Sequence, residues 1–108
     1  MRVGFISTYP PIECGIATYT LYLTEALRQK QTDLYIASHM GGAGPQVFPC
    51  FDYEDGDLAD KAFSMMIRFT PDIVHIQHEF GLFGKNYGVA VVPLIVQFRL
   101  VGIPAASF

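Results

Sequence analysis

An α/β fold, a parallel sheet with helices on its faces, is the architecture this sequence predicts, and three observations predict it. Short apolar runs, MRVGFIS, LYIA and PDIVHI, alternate with longer stretches whose apolar residues recur at helical spacing. Proline- and glycine-rich breaks, TYPPIECG and HMGGAGP, separate them. The run Ile73, Val74, Ile76 ends abruptly in a cluster of His75, Gln77, His78 and Glu79. A buried strand ends that way when it delivers polar side chains to the crevice at the carboxyl end of an open sheet.

The elements follow in order. Arg2 to Ser7 is a strand, stopped by the loop that holds Pro10, Pro11 and Gly15. From Ile16 the apolar positions predict a helix with Ile16, Tyr19, Leu23, Ala26 and Leu27 on its buried stripe, fading at Arg28 and Lys30 and ending near Gln31. Leu34 to Ala37 is a second strand, followed by the glycine-rich break, and Val47 to Phe51 adds a short one. In the acidic turn EDGD, Asp57 is placed to cap a helix with Leu58, Ala62, Met65, Met66 and Phe69 on one face. Pro71 should end that helix, because proline turns the preceding residue away from helical angles, and Asp72 to Gln77 is the next strand. Tyr87 to Val101 reads either as one helix kinked at Pro93 or as an extended Val89–Val92 with a helix starting at Pro93. Gly102 closes that helix, and Ile103 to Phe108 is a last strand. The alternation is that of a doubly wound, Rossmann-like unit, one domain over residues 1–108. Ending on a strand, it is expected to be incomplete.

Composition narrows the function classes. Half of the residues are apolar, 51%, against 16% charged, so a small core leaves apolar surface for a partner or further sequence to cover. Net charge is −3 and the cations are scattered singly, so no basic stripe exists to engage a phosphate backbone and nucleic acid is not expected as a partner. The charge-free run Asn86 to Phe98 is shorter than the roughly 20 apolar residues a bilayer-spanning helix needs. The amino terminus opens into a strand with no charged-then-apolar leader, which predicts a cytoplasmic protein with reduced Cys14 and Cys50.

Several motifs fail on spacing. The Gly84-Lys85 pair has Glu79 where a phosphate-binding loop needs its first glycine, and Asn86 where it needs serine or threonine. Gly41, Gly42 and Gly44 follow the second strand and meet Pro45, which reads as a flexible loop, so no nicotinamide cofactor is expected. Cys14 lacks the arginine of thiol phosphatases, since Thr20 stands in its place, and reads as a small residue near a helix start. His75 and His78 are three apart on a strand, hence on opposite faces, and reach one metal only if the chain turns at Gln77 to bring Glu79 in as a third ligand. A metal-free polar cluster is the favoured reading. Gly15, between a strand and a helix start, suits an anion at the backbone N–H groups, and equally suits a plain tight turn.

Taken together, TYPPIECGIATYTLYLTEAL and PDIVHIQHEFGLFG resemble the N-terminal, acceptor-side domain of family 4 glycosyltransferases, retaining sugar-nucleotide enzymes of the GT-B fold. The resemblance rests on Pro10, Pro11 and Gly15 opening the first helix and on the Pro71 to His75 motif, and it covers nearly the whole chain. It implies two Rossmann-like domains facing across a cleft, a nucleotide-sugar donor held mainly by the second domain, and a sugar or lipid-linked acceptor; from the failed motifs above, no cofactor and no metal are expected. Pro11, Cys14 and Gly15 would then lie against donor diphosphate or acceptor, and His78 and Glu79 would flank the transferred sugar with Gln77, Phe80 and Gly81. Many members place the second histidine at the position of Gln77, so Gln77 and His78 compete for the sugar-facing role. The Glu-x7-Glu pair of the family's second domain has no counterpart among Glu13, Glu25, Glu54 and Glu79, which implies an N-terminal piece.

Physically, retaining transfer stabilises a diphosphate leaving group and an oxocarbenium-like centre, so oriented backbone donors and a few polar side chains count for more than a strong nucleophile. A non-catalytic sugar- or phosphate-binding module is the alternative, and a metal-dependent hydrolase using His75, His78 and Glu79 a third. The resemblance also allows attachment at the inner face of the membrane. The exposed C-terminal strand from Ile103 to Phe108 predicts self-association.

Overall fold

The structure, a computed structural model, describes residues 1–12, 15–52, 54–77 and 85–107. Five strands, β1 (Arg2–Ser7), β2 (Asp33–His39), β3 (Val47–Phe51), β4 (Ile73–Ile76) and β5 (Ala105–Ser107), alternate with α1 (Gly15–Arg28), α2 (Leu58–Ile67) and α3 (Lys85–Leu100). The strands form one sheet in the order β3-β2-β1-β4-β5, and every pairing is parallel. The chain therefore winds outward from β1 to β3, then returns to the other side of β1 at β4. That reversal is the switch point at which open α/β sheets form their crevice, and it confirms the α/β, Rossmann-like expectation.

Between β2 and β3 no helix intervenes. The connection, residues 40–46, is shorter than the dozen or so residues a parallel link ordinarily takes. It suffices because β3 pairs only with the far part of β2, from Ile36↔Val47 to His39↔Phe51, so the chain doubles back by only about 10 Å. Gly41 at φ 105° and Gly44 at φ 156° supply the turns that side chains resist.

The two faces are covered differently. On one, α1 packs Leu21, Leu23 and Leu27 over Val3, Phe5, Leu34, Ile36 and Val47. On the other, α2 and α3 bury Leu58, Ala62, Met66, Leu94 and Phe98 against Ile6, Ala37, Val74, Ile76 and Ala105. Gly4 lies under Met66, and a Cβ there would run into the Met66 thioether, so glycine lets α2 sit close to the centre of the sheet.

Four expectations are corrected in detail. The buried stripe of α1 is Ala17, Thr20 and Thr24, while Tyr19 is 58% exposed and Ala26 is also exposed. Small side chains let the helix approach β1, and the threonine hydroxyls find partners: Thr24 Oγ1 donates to the Thr20 carbonyl at 2.8 Å. A count of large apolar residues rotates the stripe by about one position. Asp57 holds the cap position of α2 without a side-chain cap bond, because its carboxylate turns to Lys61 Nζ at 3.5 Å. Helix α2 stops at Ile67, with Arg68 as its cap and ahead of Pro71, since Thr70 turns to φ 45° and Phe69 leaves the helix to stack on Tyr35 with ring centroids 4.4 Å apart. The strand before the crevice is Ile73–Ile76, shorter at both ends than expected.

The ambiguous segment is a single helix. α3 runs through Pro93, at the loss of one backbone bond, and is held from below by Val91, Leu94 and Phe98, with the Phe63 and Phe98 rings 5.0 Å apart. Gly102 closes it as expected, at φ 83°: Ile103 N donates to Phe98 O and Gly102 N to Arg99 O, the paired bonds of a Schellman cap. The last strand is Ala105–Ser107, starting later than expected, and Phe108 lies outside the described residues. Among the described residues no helix is long and apolar enough to cross a membrane.

Candidate functional site

Ser7, Thr8 and Tyr9 carry β1 into the switch point, and all three are buried. Ser7 alternates onto the face of α1, where its Oγ donates to Thr8 O at 2.8 Å and lies 2.9 Å from Thr20 Oγ1. These hydroxyls tie the end of the strand to the first turns of the helix. Beyond them the chain turns at Tyr9, with Ile12 N donating to Tyr9 O at 3.2 Å, and the Pro10–Pro11 bond is cis. Pro11 is exposed at the tip of this loop.

The glycine-rich connection packs onto the same corner instead of hanging free. Ala43 N donates to Pro10 O at 2.9 Å. A Cβ on Gly42 would lie 2.6 Å from Ser38 Oγ, and one on Gly44 would lie 3.0 Å from the Tyr9 ring. The two glycines thus close the connection over Tyr9 and brace the loop that carries Pro10 and Pro11. Gly15, the first residue of α1, differs from both. Among the described residues nothing stands within 4 Å of a Cβ built on it, and its φ is not in the left-handed region.

β4 reaches the same end of the sheet from the other side. Gln77 N donates to Ile6 O at 2.9 Å, which sets the residue after β4 directly beside β1. The Gln77 side chain is buried at 6% exposure. His75, two residues earlier and so on the same face of β4, lies 5.0 Å from the Phe5 ring, which identifies that face as the one α1 covers. Burial holds the His75 imidazole below its ordinary pKa, with a hydrogen bond to the Gln77 side chain opposing the shift. Near neutral pH it is an uncharged, half-buried ring.

Of the residues singled out from the sequence, Pro11, Gly15 and Gln77 are brought to one end of the sheet, around the β1–β4 boundary. Cys14, His78, Glu79, Phe80 and Gly81 lie outside the described residues. The ligand set His75, His78 and Glu79 is therefore described only at His75, and among the described residues no three His, Cys, Asp or Glu side chains are grouped to hold a metal. Cys50, on β3, has its thiol pushed up to about 11 by burial, which makes it a poor nucleophile.

Sequence reasoning missed Ser7, Tyr9 and Thr20. Ser7 had a usable signal, a hydroxyl two residues beyond Phe5 on one strand face. Tyr9 had none, because its burial depends on Gly42 and Gly44 arriving from another loop. Elsewhere, a hollow of about 210 Å³ is lined by Arg28, Thr32, Asp33, Leu34, Tyr35 and Gln46 at the amino end of β2. Its one cation, Arg28, is already engaged by Glu25 at 3.1 Å and by Pro45 O at 2.8 Å. No protein-family model matches the chain, and no curated protein matches it.

Proposed function

We propose that the β1–β4 corner is one wall of a nucleotide-sugar site, belonging to a retaining glycosyltransferase of the family 4 type that moves a hexose to a sugar or lipid-linked acceptor. The observation that carries this reading is that the end of β1, which leads into Pro10 and Pro11, and the end of β4 meet at one switch point, where Gln77 N donates to Ile6 O at 2.9 Å. Backbone N–H groups at the start of α1 suit a diphosphate, and the polar residues after β4 suit sugar hydroxyls. Gly15 adds support: neither backbone angle nor described packing requires a glycine there, whereas close approach of a phosphate would. His78 and Glu79 are assigned the sugar contact.

A second reading is a module that binds sugar or phosphate without turnover: the polar side chains described around the β1–β4 boundary are hydroxyls, an amide and a neutral imidazole, groups that hydrogen-bond a ligand. Amide-resolved NMR titration with uridine and guanosine diphosphate sugars tests binding, and release or transfer of labelled hexose tests turnover. Shifts at Tyr9, Gly15, Ile16 and Gln77 with a dissociation constant near or below about 1 mM are expected. Gly15→Ala should fold with equal or slightly higher stability, by about 0.5–1 kcal/mol, yet bind at least about tenfold more weakly. Unshifted amides, or a Gly15→Ala protein that binds normally, would sink the proposal, while binding without hexose transfer would select the second reading.

A further inference from the structure

We propose that the outward face of α3 is the contact surface for a second copy of this chain, in a two-fold dimer whose α3 helices point the same way. A helix on the face of a sheet ordinarily turns charged and polar residues to solvent. α3 does the reverse. Its inward positions Val91, Leu94 and Phe98 are buried, and its outward ridge, repeating every four residues, is Val92, Val96 and Leu100, exposed to 67%, 48% and 80%. Val101, just past the end of the helix, is also exposed, at 54%. Contiguous apolar surface of this kind marks an interaction site. A ridge repeating every four residues also fits into the groove of an identical ridge.

The margins of the ridge choose the occupant and its direction. On the α2 side, Gln97 Nε2 donates to the exposed Asp60 carboxylate at 3.0 Å. On the β5 side, exposed Arg99 donates to Ala105 O at 3.2 Å. The first margin thus presents the Asp60 carboxylate beside Gln97 and the second the Arg99 guanidinium, at nearly the same level of the helix. A two-fold axis parallel to α3 sets the β5 margin of each copy against the α2 margin of the other, so Arg99 meets Asp60 twice. An axis across the helix sets like margins together, Arg99 toward Arg99, and lacks that pairing. A membrane surface is the poorer occupant, because Arg99 is the only cation from residue 90 to 101 and the chain carries a net charge of −3. The contact is also distinct from the edge of β5, the strand from which the sequence predicts self-association.

Sedimentation equilibrium of the whole chain, from about 5 to about 500 µM, tests it. The ridge alone falls short of the roughly 800 Å² per partner of a stable interface, so a dissociation constant of about 10–100 µM is expected. Val96→Asp, at a surface position, should leave the circular dichroism unchanged and the protein monomeric throughout. Arg99→Asp and Asp60→Arg should each weaken the dimer about tenfold, and the two together should restore it to within about threefold. A monomer at every concentration, a dimer indifferent to Val96→Asp, or charge swaps that fail to rescue each other would overturn the proposal. Association that survives Val96→Asp and is lost in Ala106→Pro would place the contact at the β5 edge and overturn it equally.

Discussion

The two faces of the sheet are built from different materials. The α2/α3 face is continuous and apolar, from Phe51 and Leu58 through Met66 to Leu94 and Phe98. The α1 face joins a smaller apolar cluster to a seam of hydroxyls, Ser7, Thr20 and Thr24, and leaves part of β4 thinly covered, with Ile73 39% exposed. Every residue of the candidate crevice whose side chain the structure describes belongs to the second face or to the loops at its end. The difference separates two jobs: the apolar face holds the chain together, and the polar face fixes where the strand ends stop. Fixing a strand end by hydrogen bonds suits a binding site, because a bond constrains direction where an apolar contact constrains only proximity.

That division is broken most directly by Phe98→Ala. Phe98 is fully buried and touches Phe63 across the α2–α3 seam, so truncation should cost about 3–5 kcal/mol, which in a chain this short approaches the whole folding free energy. Urea denaturation followed by circular dichroism measures it. A loss below about 1 kcal/mol would mean that the α2/α3 face is not the main source of stability.

Thr20→Val sharpens the other side. The change keeps the shape and removes the hydroxyl that lies 2.9 Å from Ser7 Oγ, while Ser7 retains its bond to Thr8 O. About 1 kcal/mol of destabilisation is expected, several-fold less than at Phe98, together with chemical-shift changes concentrated at Thr8 and Tyr9. A loss as large as that of Phe98→Ala would show the hydroxyl seam to be structural core.

How much of this was legible in the sequence follows the same line. The α2/α3 face was readable because its determinants are local: Leu58, Ala62 and Met66 recur at helical spacing, and Gly102 announces its own cap. The α1 face was misread where small residues outcompete a large one for the interface, since Ala17, Thr20 and Thr24 make a weaker hydrophobic signal than the exposed Tyr19, while Leu23 and Leu27 pack on the sheet as expected. The candidate site was legible only as a place, the ends of β1 and β4, which the structure sets side by side through the Gln77 to Ile6 bond. Its bracing was not legible, because Gly42 and Gly44 both close on Tyr9, more than thirty residues earlier in the chain. No periodicity within one element encodes such contacts.

The smallest effect tests how thin the cover over β4 is. His75 has a folded pKa lowered by burial, so the unfolded chain takes up the proton first. Above the ordinary histidine value of about 6.5 the ring is neutral in both states and the full stability is present. As the pH falls below it, the unfolded state is favoured progressively, until the pH passes the lowered folded value and the loss levels off. Urea midpoints measured between about pH 7.5 and about pH 5 should therefore fall more steeply for the native sequence than for His75→Asn, which has no proton to gain. Because His75 is only half-buried, solvent screens the charge and the difference should be modest. Equal slopes would mean that water reaches the ring freely and that β4 is open on this face. A difference rivalling that of Phe98→Ala would mean the opposite, that the α1 face seals His75 as tightly as α2 and α3 seal the core.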